Sequence, residues 1–64
     1  MIKMISKEKA IKIAKAQMPE KGFEVENTVL KDNIWYIALK KKKMRFQVDI
    51  DAKTGKVIGG AGGA

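Results

Sequence analysis

The chain has 64 residues, and its 14 lysine and arginine residues against 7 acidic ones give a formal charge of +7. It has no histidine and no cysteine, which excludes disulfides and the metal sites that these side chains build. With 45% hydrophobic residues it is too apolar for a disordered chain, and no run approaches the roughly 20 apolar residues of a membrane span. We therefore expect one small folded domain over residues 1–58 that holds no cofactor and no metal.

Residues 6–18 have the pattern of a single amphipathic helix. Ser6 is a typical N-cap residue, because its hydroxyl can accept from the N–H groups that open the first turn. At about 100° per residue, one side of the helix is apolar and the other carries lysines. Pro19 ends it, since proline pushes the preceding residue out of the helical conformation. The apolar side is expected to cover a sheet and consists of Ala10, Ile11, Ile13, Ala14 and Met18.

After Gly22 the hydrophobic period changes from 3.6 to 2, which predicts strands over 23–30, 34–40 and 43–51. The third strand is the clearest, because apolar and polar residues alternate along its whole length. In a meander, one face of each strand would be dry and the other wet.

Two turns set the predicted register of these strands. A short turn at 41–42 would pair Leu39 with Met44, and with them Ile37 with Phe46 and Trp35 with Val48. A three-residue loop at 31–33 would place Val29 on the same dry face and Leu30 on the opposite one.

Asp51 and Gly55 frame a last tight turn. The Asp51 side chain can bond the turn backbone, and Gly55 supplies a positive φ. A short fourth strand over 56–58 would place Val57 opposite Ile50, and residues 59–64 are expected to form a flexible glycine and alanine tail. The predicted fold class is α+β, with one N-terminal helix on one face of a three- to four-stranded antiparallel meander.

The side chains do not favour an enzyme. Catalysis near neutral pH usually draws on His, Cys, an activated hydroxyl or a pair of carboxylates in a cleft. The single serine, Ser6, is explained as a helix cap, and the acidic pairs Glu24 with Glu26 and Asp49 with Asp51 fall on strand faces. No segment fits a calcium loop or a phosphate-binding loop. We expect a non-catalytic protein.

Three segments resemble the PepSY family of small domains: the helix opening at 5–14, the strand at 35–39 and the terminal segment 46–58. The last is the most specific, because it joins an alternating strand to the turn Asp-Ala-Lys-Thr-Gly-Lys-Val. Trp35 stands where the family often has a tyrosine. The resemblance covers about residues 5–58 and implies a helix on an antiparallel sheet.

The resemblance also implies an inhibitory or regulatory binding role. PepSY domains occur in the propeptides of thermolysin-like metalloproteases and in cell-envelope or secreted proteins. The family offers no catalytic or ligand motif, and Asp51 and Gly55, which match its pattern, are explained by turn formation.

One sheet face is a candidate contact surface, with Tyr36 near its centre. A mixed apolar and polar face suits a protein partner, either a peptidase or a second copy of the chain. The alternative is an ordinary face exposed to solvent, with no binding role. Its predicted members are Leu30, Ile34, Tyr36, Ala38, Arg45 and Gln47.

A run of lysines at 40–43 suggests a different function, the binding of nucleic acid or another polyanion. The run consists of Lys40, Lys41, Lys42 and Lys43. Against this interpretation, arginine supplies one of the 14 basic residues, and no aromatic side chain interleaves with the lysines. Lysines at the end of a hairpin also discourage association of sheet edges.

The start of the sequence has no apolar stretch followed by a small-residue cleavage site. A cytoplasmic location is therefore the default expectation. A cell-envelope or secreted location is expected instead if a signal segment has been removed.

Overall fold

The structure is a computed structural model that describes residues 3–63. The strands form one antiparallel sheet in the order β1-β2-β3-β4, and the helix packs mainly against β2 and β3. The predicted α+β arrangement of one helix on an antiparallel meander is confirmed. In chain order the elements are α1 (Lys7–Ala16), β1 (Glu24–Lys31), β2 (Ile34–Lys41), β3 (Met44–Asp51) and β4 (Val57–Gly63).

The helix begins where the sequence predicts and ends slightly earlier. Ser6 is the N-cap residue, and its Oγ accepts a hydrogen bond from the Lys9 N–H at 3.2 Å. Gln17 is the C-cap residue, so the last helical residue is Ala16 rather than Met18. Pro19 accounts for the difference, because it excludes Met18 from the helical conformation and leaves the residue before it as the cap.

The core lies between α1 and the two central strands. Ala10 and Ala14 are fully buried, and their short side chains let the helix approach the sheet closely. Burial of each large side chain in the sheet contributes roughly 1.5–3 kcal/mol to folding. The buried side chains that meet the helix are Phe23, Ile37, Leu39, Val48 and Ile50.

The β2–β3 turn lies one residue later than predicted. It is formed by Lys42 and Lys43, with Lys42 at φ 56°, and it pairs Lys41 with Met44 and Leu39 with Phe46. The predicted pairing of Leu39 with Met44 is therefore wrong. The pairing differs by two residues, which leaves every side chain of β2 and β3 on its predicted face.

The β1–β2 loop is one residue shorter than predicted, and this difference changes which face the residues of β1 occupy. Asp32 and Asn33 form a two-residue turn with φ of 51° and 62°, the positive pair that a type I′ turn requires. Leu30 consequently lies opposite Trp35, and Val29 lies opposite Tyr36. The faces predicted for Val29 and Leu30 are wrong.

A β-bulge explains why the first part of β1 nevertheless agrees with the prediction. The register shifts between Val25 and Asn27, which places one extra residue, Glu26, in β1. Val25 therefore lies opposite Leu39 on the helix side, as predicted. An inserted residue reverses the alternation along a strand, so a single period of 2 cannot describe all of β1.

The fourth strand is longer than predicted. Val57 lies opposite Ile50, as expected, but pairing with β3 continues to Gly63 opposite Arg45. The segment predicted as a flexible tail is thus paired as far as Gly63, and Ala64 lies outside the described residues. The Phe46 ring covers Gly62, where an added Cβ would overlap it. An aromatic ring from the neighbouring strand therefore supplies the packing that glycine lacks.

Candidate protein-contact surface

The two faces of the sheet differ in what covers them. The inner face, defined by Ile37, Leu39, Val48 and Ile50, lies against α1. The opposite side, which we call the outer face, has no other element of residues 3–63 packed on it. Its central residues alternate with the buried ones along the same two strands and are Tyr36, Ala38, Gln47 and Asp49.

Tyr36 occupies the middle of the outer face. It lies opposite Val29 on one side and Asp49 on the other. Tyr36, Ala38 and Ile34 are half-buried, whereas Val29 is 44% exposed. Tyr36 therefore has a cross-strand neighbour on each side, and part of its surface is exposed to solvent.

The predicted contact residues do not all share this face. Ile34, Tyr36, Ala38, Arg45 and Gln47 have the register positions of the outer face. Leu30 does not, because it lies opposite Trp35 on the inner side, where it is 44% exposed beyond the reach of α1.

Val29 is a residue of this surface that the sequence pattern did not predict. It takes the place assigned to Leu30, opposite Tyr36. Asp32-Asn33 was the available signal, because a two-residue turn of this kind would have placed Val29 beside Tyr36.

Charges lie at opposite ends of the outer face. Asp49 accepts a hydrogen bond from Gln47 Nε2 at 2.9 Å. Toward the other end, Arg45 Nη2 lies 3.8 Å from Glu26 Oε2, and the arginine side chain is 74% exposed. An exposed pair at this distance contributes little to stability, so Arg45 can engage another group at little cost.

The turn between β3 and β4 supports the end of the sheet near Ile34. Asp51 Oδ1 accepts from the backbone N–H groups of Lys53 at 2.8 Å and Thr54 at 3.2 Å. Gly55 has φ 79°, and its N–H donates to the Asp51 carbonyl at 2.7 Å. These contacts fix the turn through backbone geometry and hydrogen bonding.

The segment before α1 is joined to the same end. Ile5 donates its N–H to the Ala52 carbonyl at 2.8 Å, and its own carbonyl accepts from Trp35 Nε1 at 3.2 Å. Trp35 packs against the core while its polar nitrogen has a partner. The indole therefore serves the packing of the inner face.

The lysine run is divided by the structure. Lys41 Nζ forms an ion pair with the Glu20 carboxylate and donates to the Lys21 carbonyl at 2.6 Å. This contact ties the loop after α1 to the β2–β3 hairpin. Lys40, Lys42 and Lys43 are exposed, and Lys40 lies opposite Glu24 and Arg45.

Residues 3–63 contain no cluster of three or more His, Cys, Asp or Glu side chains that could hold a metal ion. Over the same residues, no helix has the length and apolar character to cross a membrane.

Comparison with known proteins identifies the family. The model of the PepSY family, described as peptidase propeptide and YPEB domain, matches residues 4–60. No curated protein and no solved structure matches the chain. Domains of this family are generally non-catalytic propeptide or regulatory modules. The matched range contains α1, β1, β2, β3 and the first part of β4, and the chain therefore belongs to the PepSY family.

Proposed function

We propose that this protein is a non-catalytic module that binds a peptidase through the outer face of its sheet and regulates it. The observation that carries the proposal is the outer face, with Tyr36 at its centre and no other element of residues 3–63 packed on it. Membership of a family named for peptidase propeptides supports a peptidase as the partner.

The composition of the outer face suits protein recognition. A half-buried tyrosine has few rotatable bonds and offers both an apolar ring and a hydroxyl, so it loses little entropy on binding. Val29, Ile34 and Ala38 add apolar area around it, and Gln47 and Arg45 form a polar margin. Apolar centres with polar rims are typical of protein interfaces.

The neighbours of Tyr36 are positioned to limit its movement before binding. Val29 and Asp49 lie directly opposite it on the two adjacent strands. Side chains that are already ordered in the free protein lose less freedom in the complex, which raises affinity. Tyr36 is therefore the residue whose truncation should weaken binding most.

The test is inhibition and binding with thermolysin-like metallopeptidases. Hydrolysis of a peptide substrate is measured with an excess of the parent protein, of Tyr36→Ala, or of Lys12→Ala as a control on the exposed side of α1. The parent and Lys12→Ala are expected to inhibit equally. Tyr36→Ala should bind at least about 30-fold more weakly, the loss expected for a hot spot of 2 kcal/mol.

Circular dichroism of each variant establishes that the fold is retained. Equal inhibition by the parent and Tyr36→Ala would contradict the outer face as the contact surface. Absence of both binding and inhibition with every metallopeptidase tested would contradict a peptidase as the partner.

The exposed lysines at one end of the hairpin favour a second candidate, polyanion binding. Lys40, Lys42 and Lys43 are free of the internal contact that occupies Lys41. Binding to DNA should then fall steeply between low and physiological salt, and Lys42→Glu with Lys43→Glu should abolish it. Binding that is unchanged in this variant would contradict the second candidate.

A further inference from the structure

The two edges of the sheet are built differently. β1 contains a bulge at Glu26 and carries charged residues at both ends, namely Glu24, Glu26 and Lys31. Asn27 Oδ1 also accepts from the Thr28 N–H at 3.0 Å, which occupies a backbone donor of this strand. Bulges, charges and occupied backbone groups all discourage the addition of another strand.

The β4 edge also contains a bulge but lacks the charged residues of β1. Its sequence, Val-Ile-Gly-Gly-Ala-Gly-Gly, has no charge and no proline. The bulge in this strand lies at its beginning, between the pairs Asp49↔Gly59 and Ile50↔Val57. From Gly59 to Gly63 the pairing with β3 is regular, so this stretch presents an even row of backbone groups to solvent.

Side chains of β3 determine the charge along this bare edge. Gly59 lies opposite Asp49, Ala61 opposite Gln47 and Gly63 opposite Arg45. The register therefore places Asp49 at one end of this stretch and Arg45 at the other, both on the outer face. The Arg45 guanidinium lies 3.8 Å from Glu26 across β2, and because this pair is exposed it can turn toward β4 at little cost. Glycine leaves no side chain of β4 in front of either charge.

We propose that two copies of this chain associate by antiparallel pairing of their β4 edges, centred on Ala61. Gly59 of one copy then lies opposite Gly63 of the second copy, and Ala61 lies opposite Ala61. The two four-stranded sheets join into one of eight strands, with both helices on the same side. The outer face stays open in both copies, so the pairing is independent of the peptidase proposal.

Charge complementarity favours a second copy as the occupant. In the antiparallel pair, Asp49 of one copy and Arg45 of the second lie on one line that runs across the two β3 and the two β4 strands. The two-fold symmetry of the dimer repeats this pair. The two β3 strands are then three strand spacings apart, about 14 Å. Strand side chains stand roughly perpendicular to the sheet, so the two charges attract across the glycine backbone without direct contact.

The pairing is expected to be weak and reversible. A short strand edge buries less than the roughly 1,200 Å² of a stable interface. The formal charge of +7 on each copy also opposes association. Dimerisation should therefore be measured near 0.15 M salt, where the screening length is about 8 Å and the repulsion between the two copies is reduced.

Sedimentation equilibrium over a concentration series up to about 1 mM tests the proposal with charge reversals. Asp49→Arg and Arg45→Asp are each expected to weaken dimerisation by about tenfold or more, because like charges then share a row. The double variant, Asp49→Arg with Arg45→Asp, should restore it. The two residues stand four positions apart on one strand, so repair within a single copy cannot explain the rescue.

The contacts of the single copy do not interfere with this comparison. The Gln47–Asp49 hydrogen bond and the Arg45–Glu26 pair are both lost in the double variant, so restored dimerisation cannot come from them. Failure of the double variant to restore a dimer lost in both single variants would overturn the proposed register.

A second pair of variants locates the contact. Ala61→Lys places two lysines opposite each other at the centre of the paired edges and is expected to abolish the dimer. Val29→Lys is the matched control on β1, since it adds the same charge to an exposed position at the other edge. It should leave dimerisation unchanged.

Three further results would overturn the proposal. The first is a parent protein that stays monomeric up to about 1 mM, the upper end of the range for weak association. The second is a dimer that persists in Ala61→Lys. The third is a dimer that is also lost in Val29→Lys, which would assign the contact to the outer face rather than to the β4 edge.

Discussion

The two faces of the sheet use alternate residues of the same strands for different purposes. On the inner face, Ile37, Leu39 and Ile50 are fully buried against α1. On the outer face, their neighbours Tyr36 and Ala38 are half-buried with no element of residues 3–63 above them. A strand that is dry on one side and wet on the other can stabilise the fold and present a contact surface at once. Substitutions matched across the two faces should therefore separate stability from binding.

The largest difference is expected between Ile37→Ala and Ile34→Ala. Ile37 is fully buried, so its truncation should lower the free energy of unfolding by about 2–5 kcal/mol. Ile34 is half-buried at the outer face, and the same change there should cost about 1 kcal/mol or less. Urea denaturation followed by circular dichroism measures both. Equal losses would contradict the assignment of the core to one face.

A smaller difference is expected between two glycines of β4. A Cβ at Gly62 would overlap the Phe46 ring, so Gly62→Ala should destabilise the protein by about 1–3 kcal/mol. At Gly59 the nearest atom to a new Cβ is Asp49 Oδ2 at 3.3 Å, the mobile end of a side chain. Gly59→Ala should therefore stay within about 0.5 kcal/mol of the parent in the same denaturation experiment.

The turn that determines which side of β1 meets the helix provides the next prediction. Asn33 has φ 62°, a conformation that asparagine adopts more readily than alanine because its short polar side chain can form local hydrogen bonds. Asn33→Ala should therefore lower the free energy of unfolding by about 1 kcal/mol. Asn33→Gly is the control and should be neutral or slightly stabilising. Thermal unfolding measures both variants. An alanine variant as stable as the glycine variant would contradict the two-residue turn.

The smallest effect is expected at the lysine run. Lys41→Met removes the contacts with Glu20 and the Lys21 carbonyl and should cost less than about 1 kcal/mol, because the ion pair is partly exposed. Lys43→Met is the control, since Lys43 is exposed in the turn. The difference between the two variants should shrink in 1 M salt. A difference that is unaffected by salt would show that packing, rather than charge, is what Lys41 contributes.

Strict alternation made the central strands predictable from the sequence. β2 and β3 are buried on one side only, so the positions of Ile34, Tyr36 and Ala38 on the outer face followed from the period alone. The register of the β2–β3 hairpin depended on where its two-residue turn falls, and that of the β1–β2 hairpin on loop length. The β1–β2 loop is one residue shorter than predicted, which moved Val29 and Leu30 to opposite faces. The extra residue in the β1 bulge, Glu26, breaks the period of 2 without a composition signal.

The fourth strand could not be predicted for a different reason. Gly59, Gly60 and Gly62 carry no hydrophobic pattern, and glycine is disfavoured in strands. Pairing with β3 and the cover of the Phe46 ring, which are tertiary contacts, maintain this part of the sheet. Local sequence therefore indicated a tail where the fold forms an edge.

The outer face as the contact surface is tested most directly by methyl NMR of the protein bound to a metallopeptidase that it inhibits. We predict that the methyl signals of Val29, Ile34 and Ala38 on the outer face shift or broaden, whereas those of Ile11 and Ile13 on α1 stay in place. Changes centred on α1, with the outer-face methyls unaffected, would contradict the claim that this face is the contact surface.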